Sequence, residues 1–266
     1  MGVLDRFDLT GQVAIVTGAG TGLGREFARS LAGAGCDIVG VGRRGEPIEA
    51  IGEEIRATGR RFLAAGGTDV TDSAQVNAMV ARAIAELGRV DILVNNAGGG
   101  GAGRGKTLPE LTDEDWHQGI DTNLTSAFYC ARAVVSHMVE RGGGRIINVS
   151  SAWGYRGGRN NFMYPVSKGG ILQLTKALAI TYAHDNIRAT CISPGMFPRA
   201  GDPERAAALA QVLPAGRAGL PHEIGPLALF LASPASDYLS GSAVIMDGGV
   251  VPAGVTPAGV VPRAEG

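Results

Sequence analysis

Short apolar runs alternate with longer stretches of helical spacing along almost the whole chain, and this alternation constrains the fold more than any other feature. Apolar residues recur three or four positions apart in the helical stretches, whereas the short runs are almost continuously apolar. Continuous apolar strands separated by helices are typical of a parallel sheet covered on both faces. The expected strands are residues 13–18, 37–42, 61–70 (including its exit), 91–98, 145–151, 187–195 and 243–249, and the expected helices are residues 25–35, 47–59, 73–88, 113–142, 164–185, 206–213 and 223–232.

A single domain is expected for residues 1–250, because the 266-residue chain has no linker rich in Pro, Gly or Ser. The predicted class is α/β: one doubly wound, Rossmann-type domain with a mainly parallel seven-stranded sheet and helices on both faces. Residues 251–266 form an apolar tail with Pro252, Pro257 and Pro262, a composition that excludes a helix. We expect this tail to pack on a surface, such as that of a neighbouring subunit.

The composition argues against several classes of partner. The net charge is −1 at pH 7, so neither nucleic acid nor a membrane surface is an expected partner, since both favour proteins with a basic excess. No apolar run reaches the roughly 18 residues of a membrane span. The three cysteines lie in apolar runs and are expected to be buried free thiols, which favours the reducing cytoplasm. No metal is predicted, because neither the cysteines nor the four histidines have ligand spacing.

Residues suited to binding follow the predicted strands, where they leave the sheet. Ligands of a doubly wound sheet bind beyond the carboxyl ends of its strands, so these residues are expected to converge on one edge. They are residues 18–24, Arg43, Asp69, residues 95–98, Ser151, Pro194 and Gly195.

A glycine-rich turn, TGAGTGLG at residues 17–24, follows the first strand and opens a helix. Glycines allow the backbone to approach a pyrophosphate, and the helix N-terminus supplies N–H donors. In this α/β context the turn predicts a dinucleotide, NAD(H) or NADP(H). After the second strand, Gly42 stands where an acid would bind the adenosine ribose, and Arg43 follows it. Arg43 favours NADP(H), although it is also compatible with an ordinary surface arginine.

Tyr164 and Lys168 are four residues apart on a predicted helix and therefore share a face. An ammonium near a phenol is expected to lower the pKa of the phenol, so that Tyr164 exchanges a proton with an alcohol or carbonyl oxygen near neutral pH. Ser151, at the end of the fifth strand, is placed to hold the same oxygen. Asn123, in the preceding helix, is placed to hold Lys168 through water.

Taken together, these motifs (with NNAG at residues 95–98 and Pro194-Gly195) resemble the short-chain dehydrogenase/reductase superfamily from about residue 7 to residue 249. The resemblance implies a catalytic tetrad of Asn123, Ser151, Tyr164 and Lys168, with Tyr164 as the general acid/base. It also implies a homotetramer and a lid over the substrate at about residues 196–213. The positions implied or expected to contact the coenzyme are Gly18, Thr21, Gly22, Leu23, Gly24, Arg43, Asp69, Val70, Asn95, Ala97, Gly98, Tyr164, Lys168, Pro194, Gly195 and Phe197.

Several scaffold stretches, among them LPAGRAGLPHEIGPLALFLASPASDYLSG, resemble the sugar-acid dehydrogenases of this superfamily: the 2-dehydro-3-deoxy-D-gluconate 5-dehydrogenase, 2-deoxygluconate 3-dehydrogenase and gluconate 5-dehydrogenase group. Two positions depart from the superfamily pattern. Thr21 stands where many NADP-using members have a basic residue, and the sugar-acid group often uses NAD, so both coenzymes stay open. Arg199 replaces the usual Thr or Ser, which leaves the carboxamide contact to the backbone of Phe197.

Arg156 and Arg159 lie between Ser151 and Tyr164, and Arg199 lies in the expected lid. Arginine recognises carboxylate, phosphate or sulfonate through paired N–H donors, so we expect an anionic polyol, a sugar acid or a sulfonated sugar, as substrate. Because 21 of the 24 basic residues are arginine, solvated surface charge is an equally good interpretation. Trp153 is a candidate for stacking on a sugar ring and equally for packing.

The predicted reaction is hydride transfer between NAD(P) and a secondary alcohol or its carbonyl. Three alternatives remain: reduction of an apolar ketone or 3-oxoacyl thioester, oxidation of a sugar at its anomeric hydroxyl, and an NAD(P)-binding regulatory protein without turnover.

Overall fold

The computed structural model describes residues 2–198 and 203–253, which contain a seven-stranded sheet. The strand order is β3-β2-β1-β4-β5-β6-β7, and every neighbouring pair is parallel. The predicted doubly wound sheet is therefore confirmed, and it is parallel throughout. The strands are β1 (Val13–Thr17), β2 (Asp37–Gly42), β3 (Phe62–Gly66), β4 (Ile92–Asn95), β5 (Gly144–Val149), β6 (Ile187–Pro194) and β7 (Ala243–Met246).

Helices cover both faces of the sheet because the central strands are apolar on both sides. Along β1 the side chains alternate between two cores: Ala14 and Val16 belong to one, and Val13 and Ile15 belong to the other. The first core packs against α1, α2 and α8, and the second against α3, α5 and α6. The helices are α1 (Gly22–Gly33), α2 (Gly45–Ala57), α3 (Ser73–Leu87), α4 (Asp113–Ile120), α5 (Ser126–Glu140), α6 (Met163–Thr181), α7 (Pro203–Ala210) and α8 (Gly225–Ala232).

The long helix expected over residues 113–142 is instead three segments. A π-helical turn, Asp121–Thr125, separates α4 from α5. The Asn123 side chain lies inside this turn and donates a hydrogen bond to the carbonyl of Gly119, so it competes with the regular backbone ladder. The chain is helical from Asp113 to Glu140, so the expected helical region is confirmed. The π-helical turn within it was not expected, because a side-chain contact of this kind does not alter the spacing of apolar residues.

Other boundaries differ by a few residues. The third strand ends at Gly66 and the fourth at Asn95, so both are shorter than the expected residues 61–70 and 91–98. The remaining expected residues belong to the loops that follow these strands. Gly67 has φ +81°, outside the β region. The expected lid at about residues 196–213 contains α7, which begins and ends three residues earlier than predicted; Arg199 lies outside the described residues.

The sheet places a crevice at the carboxyl end of β1. Strand β1 pairs with β2 on one side and β4 on the other, so the chain connections diverge between β1 and β4. None of the helices in the described part of the chain is both long and apolar enough to cross a membrane. Most of the tail that the sequence singled out, residues 254–266, lies outside the described residues.

Candidate active site

The glycine-rich turn after β1 brings two stretches of backbone into contact. Gly18 has φ +69° and Gly22 has φ +56°, so both adopt the left-handed region that favours glycine. A Cβ atom on Gly24 would overlap the carbonyl oxygen of Gly18. The residue before α1, Thr21, makes no side-chain cap, which leaves the N–H groups of the first turn open to an anion. A pyrophosphate fits this cradle in size and charge.

The turn is fixed to the end of β4 by Thr17 and Asn96. The Thr17 hydroxyl accepts hydrogen bonds from the backbone N–H groups of Asn96 and Ala97, each at 2.9 Å. The Asn96 side chain donates to the Thr17 carbonyl at 2.9 Å. This arrangement holds the glycine turn beside Gly98, at the crevice.

Asn95, expected along the adenosine and ribose path, points the other way. Its amide donates to Asn148 Oδ1 at 2.9 Å and to the carbonyl of Ala127 at 3.3 Å, and the residue is buried. Neighbouring strand residues point to opposite faces of the sheet, so Asn95 enters the core whereas Asn96 faces the turn. The Asn95 side chain therefore lies in the core, and a place for this residue along the adenosine and ribose path stays a prediction for its backbone.

An open cleft of about 810 Å³ lies over the carboxyl ends of β1, β2 and β4. Arg43 and Arg44 are exposed along it, and the Asp69 carboxylate is oriented by Thr71, which donates to it from both N–H and hydroxyl. Of the expected coenzyme positions, the cleft is lined by Gly18, Thr21, Arg43, Asp69, Val70, Ala97 and Gly98. Sequence reasoning missed other residues of the lining, including Pro47, Thr68, Thr71, Gln118, Asp121 and Thr122.

One group of the missed residues comes from the end of α4 and the π-helical turn. Gln118 and Thr122 are four positions apart, a spacing that places both on one helix face, but nothing in the sequence shows that this face meets the cleft. Only the packing of α4 against α6 brings them there. Leu23, expected at the coenzyme, packs its side chain against the first core, so only its backbone remains for such a contact.

Gly98 connects the cleft to the predicted catalytic residues. A Cβ atom on Gly98 would lie 2.6 Å from Asn123 Oδ1 and 3.4 Å from Lys168 Nζ. Asn123 is buried and clamps the backbone of Gly99: its Oδ1 accepts from the Gly99 N–H at 3.0 Å, and its Nδ2 donates to the Gly99 carbonyl at 2.8 Å. Asn123 thus holds the start of the glycine-rich loop beside Lys168.

Lys168 is buried at the edge of this region. Its ammonium donates to the carbonyl of Val149, the last residue of β5, at 2.8 Å. Burial lowers the pKa of Lys168 to about 8, because the charged form loses its water. Lys168 Nζ lies 5.7 Å from the centre of the Tyr164 ring.

The pKa of Tyr164 differs in direction from the expectation. Burial raises the pKa of Tyr164 above its ordinary value, and a hydrogen bond with Ser151 offsets part of this rise. The expectation that the Lys168 ammonium lowers this pKa was wrong for the protein without coenzyme, because the loss of water around the phenol is the larger effect. At neutral pH the phenol therefore holds its proton.

Ser151 is fixed at the exit of β5. Its hydroxyl accepts a hydrogen bond from the backbone N–H of Trp153 at 3.3 Å, which begins a short 3₁₀ turn, Ala152–Tyr155. The same hydroxyl makes the hydrogen bond with the Tyr164 phenol that lowers the pKa of Tyr164. Ser151, Tyr164, Lys168 and Asn123, which are spread over 46 positions of the chain, are thus brought to one side of the cleft.

The arginines expected to bind substrate are in different situations. The Arg156 guanidinium lies over the Trp153 ring, 5.5 Å from its centre, and donates to the carbonyl of Val250 at 2.9 Å. Arg159 is exposed and has no hydrogen-bond or ion-pair partner within residues 2–198 and 203–253. Trp153 also packs against Gly158, where a Cβ atom would lie 2.9 Å from the indole. Arg156 therefore links Trp153 to the backbone of Val250.

The segment after β6 lies against the end of β7. Gly195 donates its N–H to the Met246 carbonyl at 2.9 Å, and a Cβ atom there would lie 2.6 Å from the Asp247 Cα. The Phe197 ring packs against Gly219, so Phe197 has only its backbone to offer a carboxamide. In the part of the chain that is described, no group of three or more His, Cys, Asp or Glu residues forms a potential metal site.

A glycine cradle at the end of β1, together with a buried tyrosine–lysine pair beside it, defines the class of nicotinamide-dependent oxidoreductases with a doubly wound fold. Residues 12–205 match the short chain dehydrogenase family, and the chain belongs to that family. It is an NAD(P)-dependent oxidoreductase acting on CH–OH groups, as the resemblance predicted.

Three relatives illustrate the range of the family. The chain is 40% identical over 255 residues to 2-dehydro-3-deoxy-D-gluconate 5-dehydrogenase of Escherichia coli (strain K12), covering 93% of this chain and 98% of that protein. It is 36% identical to 3-oxoacyl-(acyl-carrier-protein) reductase of the same strain, covering 90% and 97%. The crystal structure of a gluconate 5-dehydrogenase from Burkholderia cenocepacia J2315, in complex with NADP and tartrate, superposes with a TM-score of 0.86 at 36% identity, covering 96% of this chain and all of that one.

Proposed function

We propose that the protein oxidises a secondary alcohol of an anionic sugar derivative, a sugar acid or a sulfonated sugar, or reduces the corresponding ketone. The observation that carries the proposal is the convergence of Asn123 and Lys168 at Gly98, on the border of the dinucleotide cleft, with the Tyr164 ring beside Gly100. The similarity to 2-dehydro-3-deoxy-D-gluconate 5-dehydrogenase supports the substrate class.

In the proposed mechanism Ser151 and Tyr164 hold the substrate oxygen through their hydroxyl groups. The raised pKa of Tyr164 keeps the phenol protonated at neutral pH, which suits donation of that proton to a carbonyl. For alcohol oxidation Tyr164 acts as the phenolate, which the neighbouring Lys168 ammonium stabilises, and it becomes the neutral phenol when it accepts the proton of the substrate hydroxyl. The nicotinamide dinucleotide, when bound, supplies the hydride donor or acceptor.

The coenzyme is proposed to be NADP(H). Arg43 and Arg44 are both exposed at the cleft beside Gly42, and no acid stands at the end of β2 to bind a ribose 2′-hydroxyl. A 2′-phosphate at this point would meet two guanidinium groups. Thr21, and the frequent use of NAD by the sugar-acid group, favour NAD(H) instead. Activity therefore has to be measured with both coenzymes.

The test of the coenzyme compares kcat and KM for NADP and NAD in Arg43→Ala and Arg44→Ala. We expect each substitution to raise KM for NADP about tenfold or more, the loss of one charge-assisted hydrogen bond, without changing KM for NAD. Arg29→Ala, which removes an exposed arginine of α1 away from the cleft, is the matched control. An enzyme that prefers NAD and is insensitive to both cleft variants would contradict the proposal.

The anionic group of the substrate is proposed to bind Arg159. The Arg156 guanidinium is engaged with Trp153 and Val250, whereas Arg159 has its donors available. The test measures the absorbance of the reduced coenzyme while the enzyme is mixed with each candidate substrate in turn: sugars, sugar acids, sulfonated sugars, simple ketones and a 3-oxoacyl thioester. Turnover on anionic polyols that is reduced mainly through KM in Arg159→Ala supports the proposal; turnover restricted to neutral or apolar carbonyls contradicts it.

Tyr164→Phe separates the enzyme from a regulatory protein that binds NAD(P). The substitution removes the proton donor and is expected to lower kcat by about 10²–10⁴-fold while leaving coenzyme binding intact. Unchanged catalytic activity in this variant would exclude Tyr164 from the chemistry.

A homotetramer in the cytoplasm completes the proposal. Support for assembly comes from large apolar side chains exposed on the helices, including Trp116 on α4, Phe128 on α5 and Ile180 on α6. Support for a reducing compartment comes from the three buried free thiols. Light scattering should give four times the 27.2 kDa mass of the chain.

A further inference from the structure

A second pocket, of about 360 Å³, opens on the edge of the sheet opposite the coenzyme cleft. Its walls come from the starts of four strands: Gln12 precedes β1, Asp91 precedes β4, and Arg145 and Arg188 lie at the beginnings of β5 and β6. The turn at residues 141–144 closes one side. Its volume is at the lower end of the range usual for small-molecule sites.

The pocket has an excess of positive charge. Four arginines line it, Arg89, Arg141, Arg145 and Arg188, against two aspartates, Asp91 and Asp237.

Both aspartates are already engaged. Asp91 accepts two hydrogen bonds from Arg89, at 2.7 and 2.6 Å, and a third from the Val13 N–H at 2.9 Å. Asp237 pairs with Arg145 and lies 3.8 Å from Arg6. The carboxylates therefore leave the charges of two guanidinium groups uncompensated.

The two uncompensated groups are Arg141 and Arg188. Arg141 has no side-chain partner within residues 2–198 and 203–253, and Arg188 uses only Nε, which donates to the Asp237 backbone carbonyl at 2.7 Å. Their remaining N–H donors are available to a ligand in the pocket.

Arg145 provides the second, independent observation. Its Nη1 is buried and lacks a hydrogen-bond partner in the described structure, and only 15% of its side chain is exposed. Buried polar groups are almost always hydrogen-bonded, and an unpaired buried donor on a charged group is especially unfavourable. Because Nη1 has almost no accessible surface, an acceptor in the pocket reaches it only when the Arg145 guanidinium turns towards the pocket, of whose lining it is already part.

The wall beside Arg141 is rigid before any ligand binds. Gly142 and Gly143 have φ +81° and +144°, and Asn186 has φ +59°. The Asn186 amide donates to the Gly142 carbonyl at 3.0 Å, and a Cβ atom on Gly143 would lie 2.6 Å from Asn186 Nδ2. This turn therefore has little freedom to collapse into the pocket.

The pocket is separate from the coenzyme cleft. Strand β5 begins in the pocket at Gly144 and ends at Val149, whose carbonyl holds Lys168. At about 3.3 Å per residue, these two ends of the strand are roughly 17 Å apart.

We propose that this pocket binds a small anion with two or more negative charges, carried by carboxylate or phosphate groups. Arg141, Arg145 and Arg188 converge on it with donors of the planar geometry that both groups accept in pairs. The anion would neutralise the excess charge, and rotation of the Arg145 side chain would bring the unpaired Nη1 to it. Binding to the folded state alone would stabilise the protein in proportion to the logarithm of anion concentration.

Calorimetric titration and thermal unfolding of the full chain test the proposal, with inorganic phosphate and citrate as probes and sodium chloride at matched ionic strength as the reference. We expect at least one probe to bind with a Kd on the order of 1 mM or tighter, and to raise the unfolding midpoint where chloride does not. Tighter phosphate assigns the site to phosphoryl groups, and tighter citrate assigns it to a polycarboxylate.

Arg141→Ala is the decisive variant, because Arg141 is exposed and unpaired, so that its removal leaves the fold intact. We expect it to weaken the preferred probe about tenfold or more, with a larger loss in Arg145→Met. Arg29→Ala makes the same charge change elsewhere, and Arg43→Ala removes a charge from the coenzyme cleft; both should bind like the wild type. The proposal is overturned if Arg141→Ala binds the anion with the affinity of the wild type, or if Arg43→Ala loses the binding instead. It is also overturned if neither anion has an effect beyond that of chloride, which would mean that water satisfies Arg145.

Discussion

Lys168 shows how the interior of the protein changes the chemistry of a single side chain. The residue is buried, its ammonium has the Val149 carbonyl as its hydrogen-bond partner, and its pKa falls to about 8. The pKa of Lys168 falls because burial removes the water around its charged form. The same loss of water raises the pKa of Tyr164. Burial therefore moves the two pKa values apart, that of Lys168 downward and that of Tyr164 upward.

This burial predicts a particular dependence of stability on pH. Between about pH 8 and the ordinary lysine pKa of 10.5, the unfolded chain holds the Lys168 proton more tightly than the folded chain does. The free energy of unfolding due to this residue therefore rises with pH across that window. Lys168→Met should be more stable than the wild type at pH 7, by on the order of a few kcal/mol, and the difference should shrink as the pH approaches 10.5.

Urea unfolding of the coenzyme-free protein at several pH values measures this difference. Lys176→Met is the matched control, since Lys176 lies on the same helix but is exposed. A gap between wild type and Lys168→Met that does not change with pH would show that the folded-state pKa of Lys168 is close to its ordinary value.

Helix α1 illustrates the effect of an element's surroundings on one residue type. Gly24 and Gly33 both belong to this helix, but Gly24 faces the glycine turn whereas a Cβ atom on Gly33 would meet nothing within 4 Å. The helix can therefore accept alanine at its end and not at its beginning.

We expect Gly24→Ala to lower the free energy of unfolding by about 1–3 kcal/mol, because the new methyl group overlaps the Gly18 carbonyl. The displaced turn should also bind coenzyme more weakly. Gly33→Ala should be neutral or stabilising by up to about 1 kcal/mol, since alanine restricts the unfolded chain. Equal effects of the two substitutions, followed by urea unfolding and coenzyme fluorescence, would show that the Gly18 contact is absent in solution.

The π-helical turn between α4 and α5 carries Asn123, which fixes the glycine-rich loop beside Lys168. Asn123 makes three hydrogen bonds to backbone atoms, two with Gly99 and one with Gly119. Without this side chain, the start of the glycine-rich loop would lose its attachment beside Lys168.

Asn123→Ala is expected to destabilise the protein by about 1–3 kcal/mol, because it leaves buried backbone groups unpaired. Hydrogen exchange of the loop at residues 98–105 should accelerate. Thr125→Ala, which removes one partly buried hydrogen bond to Asp121 in the same turn, is the control and should leave the loop unchanged. Exchange of the loop at the wild-type rate in Asn123→Ala would refute the attachment.

At the scale of the whole molecule, a single sheet unites two cores. Successive residues of β1 enter opposite cores, so neither core can unfold without the strand that serves the other. Unfolding of the chain is therefore expected to be one cooperative transition.

Ile15→Ala removes a fully buried side chain at the centre of this sheet and should cost about 2–5 kcal/mol. Ile180→Ala, at a position 80% exposed in the single chain, should change subunit stability far less. Fluorescence and circular dichroism should report coincident transitions in both variants. Separate transitions for the two probes in Ile15→Ala would mean that the two cores unfold independently.

The sequence by itself determined the elements, the parallel sheet and the position of the glycine turn. These features depend on local periodicity and on residues adjacent in the chain, such as Tyr164 and Lys168 at a helical spacing of four. Tertiary structure decided what depends on distant neighbours. It turned Asn95 into the core and left Asn96 at the glycine turn, and it interrupted the predicted long helix at Asn123.

Tertiary structure likewise decided the electrostatic environment. The sequence places Lys168 near Tyr164 but does not show how much water either loses, and that loss sets the direction of both pKa shifts. Arg141, Arg145 and Arg188 are unremarkable in a chain with 21 arginines, and the order of the strands assembles them into one pocket. Periodicity and motif spacing are local properties of a chain, whereas burial and the meeting of distant charges exist only once the sheet has formed.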